Sequence, residues 1–84
     1  MKITKKCDKV WFDKILSGEK KFEVRLADFE VNEGDILILK EVINGELTGR
    51  EIKKKVGIVL KTNEMPYFKK EEIDKYGYQV IGFD

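Results

Sequence analysis

Ser17-Gly18-Glu19-Lys20-Lys21-Phe22-Glu23-Val24-Arg25-Leu26 is where the hydrophobic period of this chain changes. Upstream, Trp11 and Ile15 are four residues apart, as are Phe12 and Leu16. That spacing predicts an amphipathic helix through Val10–Leu16, with Asp8 at its N-cap. Gly18 then stands where a helix ends on a left-handed residue. Downstream, residues 21–26 alternate strictly, the period of a half-buried strand. Phe22, Val24 and Leu26 are expected to face the core, and Lys21, Glu23 and Arg25 to face outward.

Lys2-Ile3-Thr4 reads as a short opening strand. Residues 31–35, Val-Asn-Glu-Gly-Asp, read as a turn, and Ile36-Leu37-Ile38-Leu39 as a well-buried strand. Asn44-Gly45 is a strong hairpin signal. Residues 48–53 and 56–60 form its long return strand, with Gly57 marking a bulge or bend. Pro66-Tyr67-Phe68 is a loop, residues 69–76 a short helix closed by Gly77, and residues 78–83 a final strand. The order β-α-β-β-β-α-β, with short connections and no repeats, predicts one α+β domain over residues 1–84. A chain this short must curl such a sheet around one core, so a small open β-barrel with one or two short helices is expected.

The composition narrows the chemistry. The chain has no histidine and one cysteine, Cys7. Internal disulfides, the usual zinc sites, and Ser-His or Cys-His catalysis are therefore excluded, and no metal or cofactor is expected. No stretch approaches the roughly 20 apolar residues of a membrane span. The first residues lack the apolar core of a secretory signal, so a cytoplasmic protein is expected. The formal net charge of +1 conceals segregation: residues 1–25 carry a net +4, 26–49 a net −5, 50–62 a net +4 and 63–84 a net −2. If the two basic segments meet in the fold, they suit an anionic partner; separately they are ordinary surface lysines.

Glu23 and Arg25 share one face of the predicted strand, about 7 Å apart, and Lys20 precedes them at the helix exit. By spacing alone they form either a surface ion pair or a joint grip on a ligand. Gly18-x-Lys20-x-x-Glu23-x-Arg25 resembles the G-x-K-x-x-E-x-R motif of the ASCH domains, relatives of the PUA RNA-binding domains. The helix Trp11-Phe12…Ile15-Leu16-Ser17-Gly18, the turn Gly34-Asp35-Ile36-Leu37, the hairpin Glu46-Leu47-Thr48-Gly49-Arg50-Glu51 and the closing Tyr76-Gly77-Tyr78 extend the likeness. Together they resemble a compact ASCH-like branch of phage and bacterial proteins.

The resemblance implies a PUA-like barrel with a cleft that binds RNA or a nucleotide, walled by the first helix and the next strand. Lys20 and Arg25 would meet phosphate, Arg25 through a two-pronged contact. Glu23 would orient Arg25 or accept from a base or a sugar. Trp11, Tyr67 and Phe68 are candidate stacking platforms, although Trp11 and Phe12 are expected mainly in the core. Arg50 either lines the cleft or protects a sheet edge, as the lysines at 53–55 do.

Two other classes remain at this point. A branch resembling this family hydrolyses N4-acetylcytidine with a threonine nucleophile, a lysine that Lys20 matches, and a distant glutamate for which Glu64, Glu71 and Glu72 are candidates. Glu23 occupies the threonine position, and a carboxylate does not replace a hydroxyl there. An unrelated hydrolase would use Glu23 as base and Lys20 as electrostatic stabiliser. A protein-interaction module with a protein partner is the third class.

Overall fold

The computed structural model describes residues 1–64, 69–72 and 77–84. Strand β1 (Lys2–Asp8) leads into helix α1 (Lys9–Leu16). Strands β2 (Phe22–Leu26), β3 (Ile36–Ile43), β4 (Glu46–Lys61) and β5 (Tyr78–Phe83) follow. Single 3-10 turns cover Thr62–Glu64 and Lys70–Glu72. The second of these falls within the helix expected over 69–76, whose residues 73–76 lie outside the described residues, as do Pro66, Tyr67 and Phe68.

The strands make one open mixed sheet in the order β1-β3-β4-β5-β2. β1 runs parallel to β3, and every other pair is antiparallel. Asn44 and Gly45 have φ of 52° and 82°, the left-handed pair that a two-residue hairpin requires. β4 pairs first with β3 and then with β5. Its register against β5 slips between Val56 and Val59, around the bulge expected at Gly57. β1 extends beyond the expected Lys2–Thr4 because its pairing with β3 continues to Asp8↔Val42. Within that extension the Lys5 ammonium lies 3.8 Å from the centre of the Phe29 ring, within cation–π range.

The core lies between α1 and the sheet. Phe12 and Ile15 of α1 meet Leu37 and Leu39 of β3, Val56 of β4 and Ile81 of β5. Trp11 corrects an expectation. It is 48% exposed, and only Phe12 and Ile15 of the helix are buried. The buried stripe is thus one residue narrower on each side than the spacing suggested. Asp8 holds the N-cap position, but its side chain makes no capping bond.

The parity of β2 is the reverse of the expected one. Phe22, Val24 and Leu26 face outward, while Glu23 is buried and Arg25 half-buried on the inner side. The physical reason is the strand's place. β2 is an edge strand, and its inner side borders a slot instead of the packed core, so the charged set turns inward.

Gly77 fixes the entry to β5. Its φ is +65°, and a Cβ there would lie 2.7 Å from Thr62 Oγ1 and 3.1 Å from the Asn63 backbone nitrogen. Strain of this kind costs about 1–3 kcal/mol. Gly77→Ala is therefore expected to lower the urea midpoint clearly, and an unchanged midpoint would mean that the turn relaxes freely.

Candidate functional site

The two edge strands of the sheet approach each other. Arg25 of β2 donates from Nη2 to the Lys6 carbonyl of β1 at 2.6 Å. Between these edges and the start of α1 lies a slot of about 400 Å³. Cys7, Asp8 and Val42 line it on one side, Lys20, Glu23 and Arg25 on the other, with Lys6, Trp11 and Val24 also bordering it. The volume falls within the range of small-ligand sites.

Local structure puts Lys20 there. After α1, Ser17 N–H donates to the Asp13 carbonyl and Gly18 N–H to the Ile15 carbonyl. Gly18 takes φ +85°, and the Lys20 N–H reaches back to the Lys14 carbonyl at 2.9 Å. The backbone of Lys20 is thus tied to the helix end. Its ammonium donates to Glu23 Oε1 at 2.8 Å. It also lies 5.2 Å and 5.7 Å from the ring centres of Phe22 and Trp11, within cation–π range.

Arg25 Nε donates to the other oxygen, Glu23 Oε2, at 2.9 Å. The side chain of Glu23 is only 5% exposed, against 16% for Lys20 and 25% for Arg25. Glu23 therefore sits behind the two cations and holds both, and Lys20 and Arg25 form the accessible part of the triad. Of the two arrangements the sequence allowed, the structure shows the ion pair, with both cations also lining the slot.

The β2 wall also presents backbone groups. Phe83 N–H donates to the Lys21 carbonyl and Ala27 N–H to the Gly77 carbonyl. Odd-numbered residues therefore bond to β5, and the amide and carbonyl of Val24 point to the open edge at the slot. At its floor, burial and then Glu23 push the Cys7 thiol up to about 11. The thiol is protonated at neutral pH and is not a thiolate nucleophile. The lining contains no hydroxyl side chain among the described residues. Among the described residues, no group of three or more His, Cys, Asp or Glu side chains is placed to hold a metal.

The other sequence candidates lie elsewhere. Arg50 is not among the residues that line the slot. Its Nε and Nη2 donate to Glu41 Oε1 and Oε2 at 3.0 Å and 2.6 Å, and Nη2 also reaches Asp13 Oδ1 at 2.8 Å. Thr48 Oγ1 donates to Glu41 Oε1 at 2.7 Å, and the guanidinium lies 4.9 Å from the Phe12 ring centre. Arg50 thus braces the β3–β4 hairpin against α1. Glu64 borders a separate depression near Val31 and Ile58, and Glu71 is exposed. The side chain of Glu72 and all of Tyr67 lie outside the described residues. Of the slot residues, sequence reasoning missed Lys6, Cys7, Asp8 and Val42, which no local pattern links to Lys20. Trp11 was weighed but assigned to the core.

The brace has a pH signature. Hydrogen bonds from Arg50 and then Thr48 hold the Glu41 carboxyl down at about 2, against 4.5 ordinarily. A carboxylate whose pKa is lowered on folding stabilises the fold above its unfolded value and loses that contribution as pH falls through the folded one. Calorimetric Tm values are expected to fall between pH 4.5 and pH 2. Glu41→Gln should lower the Tm at neutral pH and flatten this acid limb. An unaltered acid limb would contradict the assignment.

No helix among the described residues is long and apolar enough to cross a membrane. In comparisons with known proteins, the chain is 39% identical over 46 residues to the "Uncharacterized 12.9 kDa protein in GpA 3'region" of Escherichia phage P2. That match covers 55% of this chain and 42% of the phage protein. The family described as "Domain of unknown function (DUF3850)" matches residues 1–83, and the chain belongs to that family.

Proposed function

We propose that the chain is an ASCH-like domain of the PUA-like superfamily, its sheet forming an open barrel with the slot at the seam. In this reading the slot binds a nucleotide, alone or within single-stranded RNA. One observation carries it: Lys20 and Arg25 converge on a slot that the exposed ring of Trp11 also borders. A base stacks on Trp11, and a phosphate meets Lys20 and the remaining donors of Arg25. Glu23 holds both cations in place and limits their charge. Among the described residues the slot lining carries three cations and two carboxylates, so the electrostatic pull is modest.

The acyl-transfer reading finds less support. Among the described residues the slot lining holds no hydroxyl nucleophile, and its thiol is held protonated. Fluorescence anisotropy with a labelled single-stranded RNA across a salt series tests the binding reading. One or two phosphate contacts correspond to a log–log slope of about −1. Lys20→Ala should weaken binding and flatten that slope. Affinity indifferent to salt and to Lys20 would remove the assignment.

A further inference from the structure

The reversed parity of β2 leaves an apolar sheet face in the open. Register aligns it in three rows across β2, β5 and β4. Leu26 lies beside Tyr78, and Val24 beside Val80 and Leu60. Phe22 lies beside Gly82, over which Ile58 leans; a Cβ at Gly82 would lie 3.0 Å from Ile58 Cγ2. Ile58 is 64% exposed, Tyr78 53% and Val24 51%, and Phe22, Leu26 and Leu60 each exceed 40%. None of the residues in these rows is charged. The charges of β2 are on its other side. A solvated face of an antiparallel sheet carries the polar set, and this one carries the apolar set.

The area and the chemistry choose the occupant. Large side chains present about 150–250 Å² when aromatic and somewhat less when aliphatic, so six of them near half exposure leave on the order of 500 Å² of apolar surface. Two such faces together remove on the order of 1,000 Å² from water, the threshold of a specific protein interface. The rows themselves offer a nucleic acid no cation, and the Lys20 ammonium beside Phe22 at one end is already engaged by Glu23. A highly charged protein partner would lose hydration there without finding a counter-charge. A second copy of this chain brings a face of the same size and chemistry, with no like charges to oppose it. Sheets stack face to face about 10 Å apart with interleaved side chains.

We propose that the outer face of β2, β5 and β4 pairs with the same face of a second copy, forming a homodimer about a twofold axis. The inner side chains of β2 remain at the slot in each copy. The proposal does not depend on what the slot binds.

Sedimentation of the native protein over a concentration series tests it. The mass is expected to rise from the 9.8 kDa of one chain to twice that value with increasing concentration. The association should hold or strengthen with salt, as apolar burial does. Ile58→Lys and Tyr78→Lys, each at an exposed position, should move the dimerisation midpoint at least tenfold higher. Val10→Lys, at an exposed helix position off this face, should leave it unchanged. If a variant does not fold, isotope-filtered NOEs in the native protein decide. Contacts between copies among Ile58, Leu60 and Tyr78 support the proposal, and a dimer without them overturns it. A native monomer at millimolar concentration, or a dimer that neither lysine weakens, also overturns it.

Discussion

Glu23→Ala is expected to cost about 2–4 kcal/mol of stability, somewhat under the roughly 3–5 kcal/mol for breaking a fully buried pair, because Lys20 and Arg25 keep some access to water. Both Glu23 oxygens are engaged, one by Lys20 and one by Arg25, and the side chain is almost wholly enclosed. Without the carboxylate, two cations of like sign stay together in a partly desolvated slot. A domain of this size holds about 4–12 kcal/mol in total, so the loss is a large share of it. Thermal unfolding should register a drop of ten degrees or more. Glu23→Gln keeps the shape and one acceptor, and its loss should be smaller. A Tm unchanged by Glu23→Ala would reduce the triad to a solvated surface cluster.

The second large effect is on binding. Arg25→Ala should weaken nucleotide or RNA binding by at least tenfold, in keeping with about 1.5–3 kcal/mol for a hydrogen bond to a charged group. It also removes the bond to the Lys6 carbonyl that links the two sheet edges. Some stability will go with it, about 1 kcal/mol for a bond of this kind. Arg25→Lys separates the roles. It keeps the charge but loses the planar fork, so affinity should fall between the native protein and Arg25→Ala. Calorimetric titration of the three proteins reads this directly. Equal affinities would take Arg25 out of the binding surface.

The order of elements was legible because its signals are local. Gly18 ends a helix with a left-handed residue, Asn44-Gly45 turns a hairpin, and Gly57 marks the register slip in β4. Alternation through residues 21–26 correctly placed Glu23 and Arg25 on one face. It could not say which face looks inward, because period two defines two sides without naming either. That choice depends on what lies beside the strand, and β2 borders a slot. Trp11 was misplaced for a similar reason. Helical spacing gives a stripe, but the neighbouring strands set its width. Arg50 could not be read at all. Its partner Asp13 lies 37 residues away, and Glu41 lies nine away across the hairpin.

Trp11 is the chain's only tryptophan, and it borders the slot. Its fluorescence therefore reports on the slot without a label. Titrating the native protein with ribonucleoside monophosphates and short single-stranded RNA tests whether the slot binds nucleotides. Saturable quenching is expected, and Arg25→Ala and Lys20→Ala should each shift it to much higher ligand concentration. Emission that stays flat, or quenching that both variants reproduce unchanged, would contradict nucleotide binding at the slot.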